Sequence, residues 1–125
     1  MPRFGHGIEF LPDHAKEKWQ AFLKEAEEHP PVHFENNGWV VAAFKAAASA
    51  VIIGQYDYTE GIEAAIRSGY DTDTVAAIAG SLLGALSGAK ALPQEWANSL
   101  SGWPGYSSTD LIQITQAILE RKENQ

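Results

Sequence analysis

One short segment of the sequence, residues 69–74, holds the side chains whose types and spacing could do chemistry. It reads GYDTDT and places Asp71, Asp73 and Thr74 at the start of a predicted helix. Two carboxylates and a hydroxyl offer the oxygen ligands that Mg²⁺ and Ca²⁺ prefer, and a cation between the carboxylates would relieve their repulsion. Three side chains fill only part of an octahedral shell. The segment alone therefore predicts half of a metal site, completed by water, substrate or other protein groups.

The same residues have a simpler structural interpretation. Asp71 or Asp73 could be a helix N-cap, accepting a hydrogen bond from a backbone N–H at the positive end of the helix dipole. One cap needs one acidic residue, whereas this segment supplies two, with Thr74 beside them. On the residues alone, both interpretations stay open.

The remaining polar and aromatic residues give weaker signals, and no catalytic residue is predicted. The four histidines lack zinc-type spacing. His29 and His33 flank two prolines, which prevent a single helix from aligning them. Four aromatic rings could stack on an adenine, although aromatic residues beside apolar helices more often belong to the core. The residues concerned are Trp39, Tyr56, Tyr58 and Tyr70.

Apolar residues at helical spacing predict the elements that must position this segment. Six helices are expected, at residues 13–29, 39–53, 59–67, from within 71–74 to 88, 93–100 and 110–122. No alternating strand pattern competes with them. The predicted fold class is all-α, an irregular orthogonal helical bundle of about six helices packed around the second and the fourth.

Capping residues and apolar faces refine these helices. Asp13 and Thr59 are predicted N-caps, and Gln113 is placed to complete a capping box with Asp110. Gly69 stands where a left-handed residue would end a helix. The apolar residues of the last helix are expected to face inward. They are Leu111, Ile114, Ile118 and Leu119.

The helix that follows Asp73 carries small residues on one side. Ala76, Gly80, Gly84 and Gly88 recur at intervals of four. Glycine inside a helix costs about 1 kcal/mol relative to alanine, so close packing of a neighbouring helix is expected to compensate.

Composition limits the classes of function. A chain of 125 residues, 45% hydrophobic and 20% charged, suits one domain over residues 1–125, with an N-terminal extension at 1–12 and a helical core at 13–123. The net charge of -7 opposes nucleic-acid binding. The absence of cysteine excludes disulfides and thiolate chemistry and favours a cytoplasmic protein. Neither a signal peptide at residues 1–10 nor a membrane span at 39–54 is predicted.

Residues 69–88, GYDTDTVAAIAGSLLGALSG, resemble the C-terminal metal motif and glycine-rich helix of the ADP-ribosylglycohydrolase family. The resemblance continues upstream through Asn37, Gly38, Trp39 and Val40, and downstream through Leu92, Pro93 and Trp96, so that it covers about residues 10–100. It implies an all-α fold in which two Mg²⁺ ions help to cleave the N- or O-glycosidic bond between ADP-ribose and a modified side chain. The implied metal ligands are Asp71, Asp73 and Thr74. The residues implied to face ADP-ribose are Gly69, Tyr70, Gly38 and Trp39.

The family's N-terminal motif, a threonine followed by paired aspartates, has no counterpart in residues 1–31. We therefore expect a truncated family member that retains the C-terminal half of a Mg²⁺ site. Such a chain would bind ADP-ribose or a related nucleotide, with weak or no hydrolase activity of its own.

Two other functions stay open. One is a small helical oligomeric interaction protein that has lost the catalytic chemistry, and the other is an active hydrolase completed by a second chain. Apolar helix faces that a missing N-terminal region would cover predict a homodimer, formed by exchange of the helix at 13–29 or the C-terminal helix. Nucleic acids and membranes are not expected partners.

Overall fold

The computed structural model describes residues 5–123, most of which are helical. The α-helices in this range are α1 Gly5–Ile8, α2 Asp13–Glu28, α3 Val40–Ile53, α4 Tyr58–Ile66, α5 Thr72–Ser87, α6 Gln94–Ser99 and α7 Ser108–Glu123. Two 3-10 turns lie at Pro31–His33 and Ala89–Ala91. The predicted all-α fold class is confirmed. The six predicted helices correspond to α2 to α7, with ends that differ by no more than two residues.

Helix α1 and the two strands of a hairpin were not predicted. Helix α1 lies within the supposed N-terminal extension, and a hairpin of β1 Ser101–Gly102 and β2 Tyr106–Ser107 replaces a plain turn. In the hairpin Ser101 pairs with Ser107 and Gly102 with Tyr106, antiparallel. All three elements are too short to produce a periodic signal in the sequence.

The chain divides into two compact units, Met1–Ala91 and Leu92–Gln125, called here the N-terminal unit and the C-terminal unit. The assignment of residues 1–125 to one domain stays a prediction. Of the predicted extension, residues 1–4 lie outside the described part of the chain, whereas Ile8 is buried. No helix within residues 5–123 combines the length and apolar character needed to cross a bilayer.

The core of the N-terminal unit is built around α3. Helices α2, α4 and α5 all pack against it, which explains why it is apolar nearly all round. Its buried residues are Ala42, Ala43, Ala46, Ala47, Ala48, Ser49, Ala50 and Val51. Most of these side chains are a single methyl group, so neighbouring helices can approach closely. Larger side chains come from α5, where Val75 and Leu83 are fully buried.

The closest backbone approach occurs between the end of α3 and α4. A Cβ atom on Gly54 would lie 2.4 Å from the backbone nitrogen of Gly61. One on Gly61 would lie 2.5 Å from Cδ1 of Leu83. Both separations are too short for real carbon contacts, so the absence of side chains at Gly54 and Gly61 permits this packing. The sequence did not single out either glycine.

The small-residue side of α5 packs against α4 at two of its glycines, as predicted. A Cβ atom on Gly80 would lie 3.1 Å from Cδ1 of Ile62, and one on Gly84 would lie 4.0 Å from Cε2 of Tyr58. Gly88 has a different role. No atom would lie within 4 Å of its Cβ, and it ends the helix with a φ of 75°.

Two predicted N-caps in the N-terminal unit are wrong. Asp13 is the first residue of α2, and Pro12 occupies the cap position without a side-chain hydrogen bond. In α4 the cap is Asp57 rather than Thr59, because the carboxylate of Asp57 accepts a hydrogen bond of 3.0 Å from the N–H of Glu60. Helix α4 begins one residue earlier than predicted, which moves Thr59 inside it.

In the C-terminal unit, the capping box forms one turn earlier than predicted. Asp110 Oδ2 accepts hydrogen bonds from the Ser107 N–H, at 2.7 Å, and from the Ser107 hydroxyl, at 2.6 Å. The hydroxyl and then the N–H of Ser107 hold the pKa of Asp110 below its ordinary value. The box therefore consists of Ser107 and Asp110, not Asp110 and Gln113, because β2 delivers the chain to the helix at Ser107.

The apolar residues of α7 are not buried, contrary to prediction. Leu111, Ile114, Ile118 and Leu119 are between 42% and 62% exposed. Within the C-terminal unit, α7 packs against the short strand β2. Helical periodicity identifies a face as apolar, but it does not supply a neighbour to cover that face.

Candidate metal site at the start of α5

The turn between α4 and α5 has an unusual backbone. Gly69 and Tyr70 both adopt the left-handed conformation, with φ of 76° and 59°. The left-handed conformation was predicted for Gly69, where it costs little. For Tyr70 it is unfavourable, because a Cβ atom crowds the following carbonyl oxygen. Something in the surrounding structure must therefore hold this turn in place.

The side chain of Asn37 provides that support. Asn37 is fully buried, on the loop that precedes α3. Its Oδ1 accepts a hydrogen bond of 2.8 Å from the N–H of Asp71, and its Nδ2 donates one of 3.1 Å to the carbonyl oxygen of Gly69. The two hydrogen bonds, called here the Asn37 clamp, join Asn37 to the residues on both sides of Tyr70. They fix the loop at residues 36–39 to the start of α5.

The sequence signal for Asn37 was weak. An asparagine followed by glycine is typical of any turn, because its side chain bonds to nearby backbone. Here the partners of Asn37 lie 32 and 34 residues away. Asn37 carried part of the family resemblance, but nothing in its own neighbourhood marked it as a support for Asp71.

The two carboxylates predicted as metal ligands lie together. A hydrogen bond with the Asp71 carboxyl, followed by the N–H groups of Asp73 and Thr74, holds the pKa of Asp73 below its ordinary value. A divalent cation between two neighbouring carboxylates would relieve their mutual repulsion. Asp71 is half-buried, whereas Asp73 and Thr74 are exposed. The donor set and its access to solvent fit part of the shell of a hard divalent ion.

The capping alternative applies to only one of the two aspartates. Asp71 occupies the N-cap position of α5, yet its side chain makes no capping hydrogen bond. Asp73 does bond to local backbone N–H groups. The Asp71 carboxyl is therefore not required to start the helix, and its partner is the neighbouring acid.

Gly38 leaves space beside the Asp71 carboxylate. A Cβ atom on Gly38 would lie 3.4 Å from Oδ2 of Asp71. The loop that positions Asp71 through Asn37 therefore also lies beside its carboxylate, where Gly38 adds no side chain. The structure brings Gly38 and Asp71 together, although 33 positions separate them in the sequence.

The four aromatic residues fall into two groups. Tyr56 and Tyr58 pack against the buried core. Trp39 and Tyr70 are 63% and 67% exposed and stand next to Gly38 and Asp71 in the chain. Of these four residues, Trp39 and Tyr70 are the two that offer an exposed ring surface to a ligand. Trp39 also lines a groove together with Glu25, His33, Phe34, Glu35, Asn36, Ala42 and Lys45.

The predicted site is incomplete as a metal shell within the described residues. No group of three or more histidine, aspartate or glutamate side chains lies in an arrangement that could hold a metal ion in residues 5–123. His29 and His33 do come together, with ring centroids 4.0 Å apart and planes 12° apart. This stacking was not predicted. It places the rings face to face, so their nitrogen lone pairs, which lie in the ring planes, do not converge on one ion.

One family of known proteins matches the part of the chain that contains the candidate site. The model of the ADP-ribosylglycohydrolase family matches residues 4–125 of this chain. No curated protein and no solved structure gives a significant match. The family match includes both the loop at residues 36–39 and the segment at 69–74, and it extends beyond the range that the sequence resemblance covered. This chain belongs to the ADP-ribosylglycohydrolase family.

Proposed function

We propose that this protein binds one divalent cation through Asp71, Asp73 and Thr74, together with ADP-ribose or a related nucleotide at the adjoining turns. The observation that carries the proposal is the contact between the Asp71 and Asp73 carboxyl groups at the solvent-accessible start of α5. Membership of the ADP-ribosylglycohydrolase family supports both the cation and the class of ligand.

The charges of the site support cation binding. The Asp71 carboxyl and the N–H groups of Asp73 and Thr74 hold the pKa of Asp73 below its ordinary value, which favours its charged form. With Asp71 beside it, negative charge is concentrated in a region where neither side chain is paired with a described lysine or arginine. Mg²⁺ is the ion that the family implies, and bound there it would polarise ribose oxygens and orient a water molecule. Thr74, in the first turn of α5, would add a neutral oxygen ligand.

The surfaces next to Asp71 support nucleotide binding. Tyr70 precedes Asp71 and Trp39 follows Gly38, and both rings are exposed. Exposed aromatic rings of this kind stack on nucleobases. Gly38 and Gly69 would let the ligand approach the backbone closely at these turns.

Hydrolysis by this chain alone is proposed to be weak or absent. Asp71, Asp73 and Thr74 supply only part of an octahedral shell. The threonine and paired aspartates that would complete a two-ion site have no counterpart in residues 1–31. A second chain with those ligands would convert the half-site into an active hydrolase.

A homodimer forms part of the proposal, because the apolar side chains of α7 are exposed. This observation also supports the alternative function, a helical interaction protein without the chemistry. Sedimentation velocity at tens of micromolar is expected to show a dimer. A monomer alone under those conditions would contradict this part of the proposal.

Calorimetric titration tests the binding function. We expect heat from Mg²⁺, and from ADP-ribose in the presence of Mg²⁺, with the native protein. Both signals should disappear in Asp71→Asn combined with Asp73→Asn. The matched control is Asp13→Asn with Glu17→Gln, which removes two exposed negative charges from the first turns of α2.

The two double variants separate the hypotheses. Equal heats in both would show that the binding does not involve Asp71 and Asp73. No heat with the native protein would favour the interaction protein. Release of ADP-ribose from a modified substrate, abolished by the Asp71 and Asp73 substitutions alone, would establish a hydrolase.

A further inference from the structure

We propose that Asn37 is a positioning residue for the cation site, because its side-chain amide holds the turn at residues 69–71 in the conformation that sets the Asp71 carboxyl against Asp73. This inference rests on the proposed function, since it concerns the same site. Asn37 itself is too deeply buried to act as a ligand.

The two hydrogen bonds of Asn37 lie on either side of the strained residue. The Asn37 amide donates to the carbonyl oxygen of Gly69 and accepts from the N–H of Asp71, so its bonds lie on either side of Tyr70. Tyr70 has a φ of 59°, a conformation that is energetically unfavourable for a residue with a Cβ atom. The clamp therefore acts where the backbone is strained, one residue before the predicted ligand.

The side chain of Asn37 is fully buried. Asn37 is 0% exposed, and no buried side-chain nitrogen or oxygen within the described residues lacks a hydrogen-bond partner. Removing the amide would leave the Asp71 N–H without its partner and the Gly69 carbonyl oxygen with only the longer hydrogen bond of 3.3 Å from the Ser68 hydroxyl. The turn would then move to satisfy those groups elsewhere, and the Asp71 carboxyl would move with it.

The same loop also lies next to the Asp71 carboxylate. Gly38 follows Asn37, and a Cβ atom on it would lie 3.4 Å from Oδ2 of Asp71. The loop therefore sets both the position of Asp71 and the room beside it.

Ser49 provides the matched comparison. It is also 0% exposed, and its hydroxyl donates a hydrogen bond of 2.5 Å to the carbonyl oxygen of His29. Ser49 stabilises the end of α2 through a long-range bond but touches no predicted ligand. Loss of Ser49 should therefore lower stability without changing the geometry of the site.

The test is a Mn²⁺ titration of the full chain, followed by the electron paramagnetic resonance signal of free Mn²⁺. We expect Asn37→Ala to weaken Mn²⁺ binding about tenfold or more, whereas Ser49→Ala stays within about twofold of the native protein. Thermal unfolding of both variants shows that they are folded at the temperature of the titration. Native affinity in Asn37→Ala, or equal losses in both variants, would overturn the proposal.

A second variant keeps the test decisive if Asn37→Ala does not fold. Asn37→Ala combined with Tyr70→Gly replaces the strained residue by glycine, which adopts the left-handed conformation without a clamp. We expect the pair to fold and to bind Mn²⁺ more tightly than Asn37→Ala, or measurably where that variant cannot be made. A pair with no detectable affinity would contradict the positioning role.

Amide exchange of the native protein separates the two proposals. The Asp71 N–H should exchange slowly, because it donates to a buried oxygen. Slow exchange without Mn²⁺ binding would refute the cation site while leaving the clamp intact, and Asn37 would then have no site to position. Fast exchange with Mn²⁺ binding would refute the role of Asn37 and leave the proposed function standing.

Discussion

The N-terminal unit and the C-terminal unit differ in the sequence separation of the hydrogen bonds within each of them. In the N-terminal unit, hydrogen bonds join Lys45 to Glu25 and Ser49 to His29 across 20 residues, and Asn37 to Asp71 across 34. In the C-terminal unit, Ser107 bonds to Asp110 and Thr115 to Leu111, three and four positions apart. The buried core cluster lies between Ala26 and Leu83. Packing of distant segments thus builds the first unit, whereas caps and a short hairpin organise the second.

This difference in sequence separation explains why the candidate metal site lies in the N-terminal unit. The Asp71 carboxyl depends on a loop that is remote in sequence, so the site needs the packed core of α3, α4 and α5 behind it. The C-terminal unit has local order but exposed apolar side chains on α7. Three substitutions test this contrast.

The largest effect is expected from Leu83→Ala in α5. Leu83 is 0% exposed and contacts the core, so its truncation should lower the free energy of unfolding by about 2–5 kcal/mol. The matched control is Leu86→Ala on the same helix, where the side chain is 39% exposed and the loss should be about 0.5 kcal/mol. Urea unfolding measures both. Similar losses at the two positions would show that the core is not packed as described.

The next effect concerns the contact of α3 with α4. Gly54→Ala would place a Cβ atom 2.4 Å from the backbone nitrogen of Gly61, so the two segments must separate, at a cost of about 1–3 kcal/mol. Gly84→Ala is the control. Its Cβ would meet Tyr58 at an ordinary 4.0 Å, and the gain in helix propensity should stabilise the protein by up to about 1 kcal/mol. Thermal unfolding should therefore shift in opposite directions, and a shared sign would contradict the close approach.

The smallest effect is expected from Asp110→Asn, which weakens the capping box of α7. Because the folded pKa of Asp110 is depressed, its contribution is present above the unfolded value of about 3.9 and is lost as the pH falls through the folded pKa. Amide exchange in α7 should accelerate in the variant at neutral pH and in the native protein in acid. The variant should show no such acid step of its own.

The amide of Val51 in α3 is the internal control for this substitution. Its exchange should not change in Asp110→Asn at neutral pH, because the cap of α7 is a local interaction. Parallel acceleration at Val51 and in α7 would show that the two units unfold as one.

Much of the fold could be predicted from the sequence. Apolar periodicity located α2 to α7 to within two residues at each end, and Pro30 with Pro31 separated α2 from α3. The identities of the cap residues were less accessible. The caps of α4 and α7 are Asp57 and Ser107, not Thr59 and Asp110. Both helices begin earlier than predicted, because the turn and the hairpin that precede them carry no periodic signal.

The sequence by itself determined that this chain is helical, and it identified Asp71, Asp73 and Thr74 as the residues most suited to a cation. Such features depend on neighbours within a few positions, which the order of residues displays directly. Only the tertiary structure decided that Asn37 holds Asp71, that Gly38 leaves room beside it, and that α7 keeps an exposed apolar face. Those outcomes depend on which helices meet and how closely, and residues more than thirty positions apart carry no local mark of their contact.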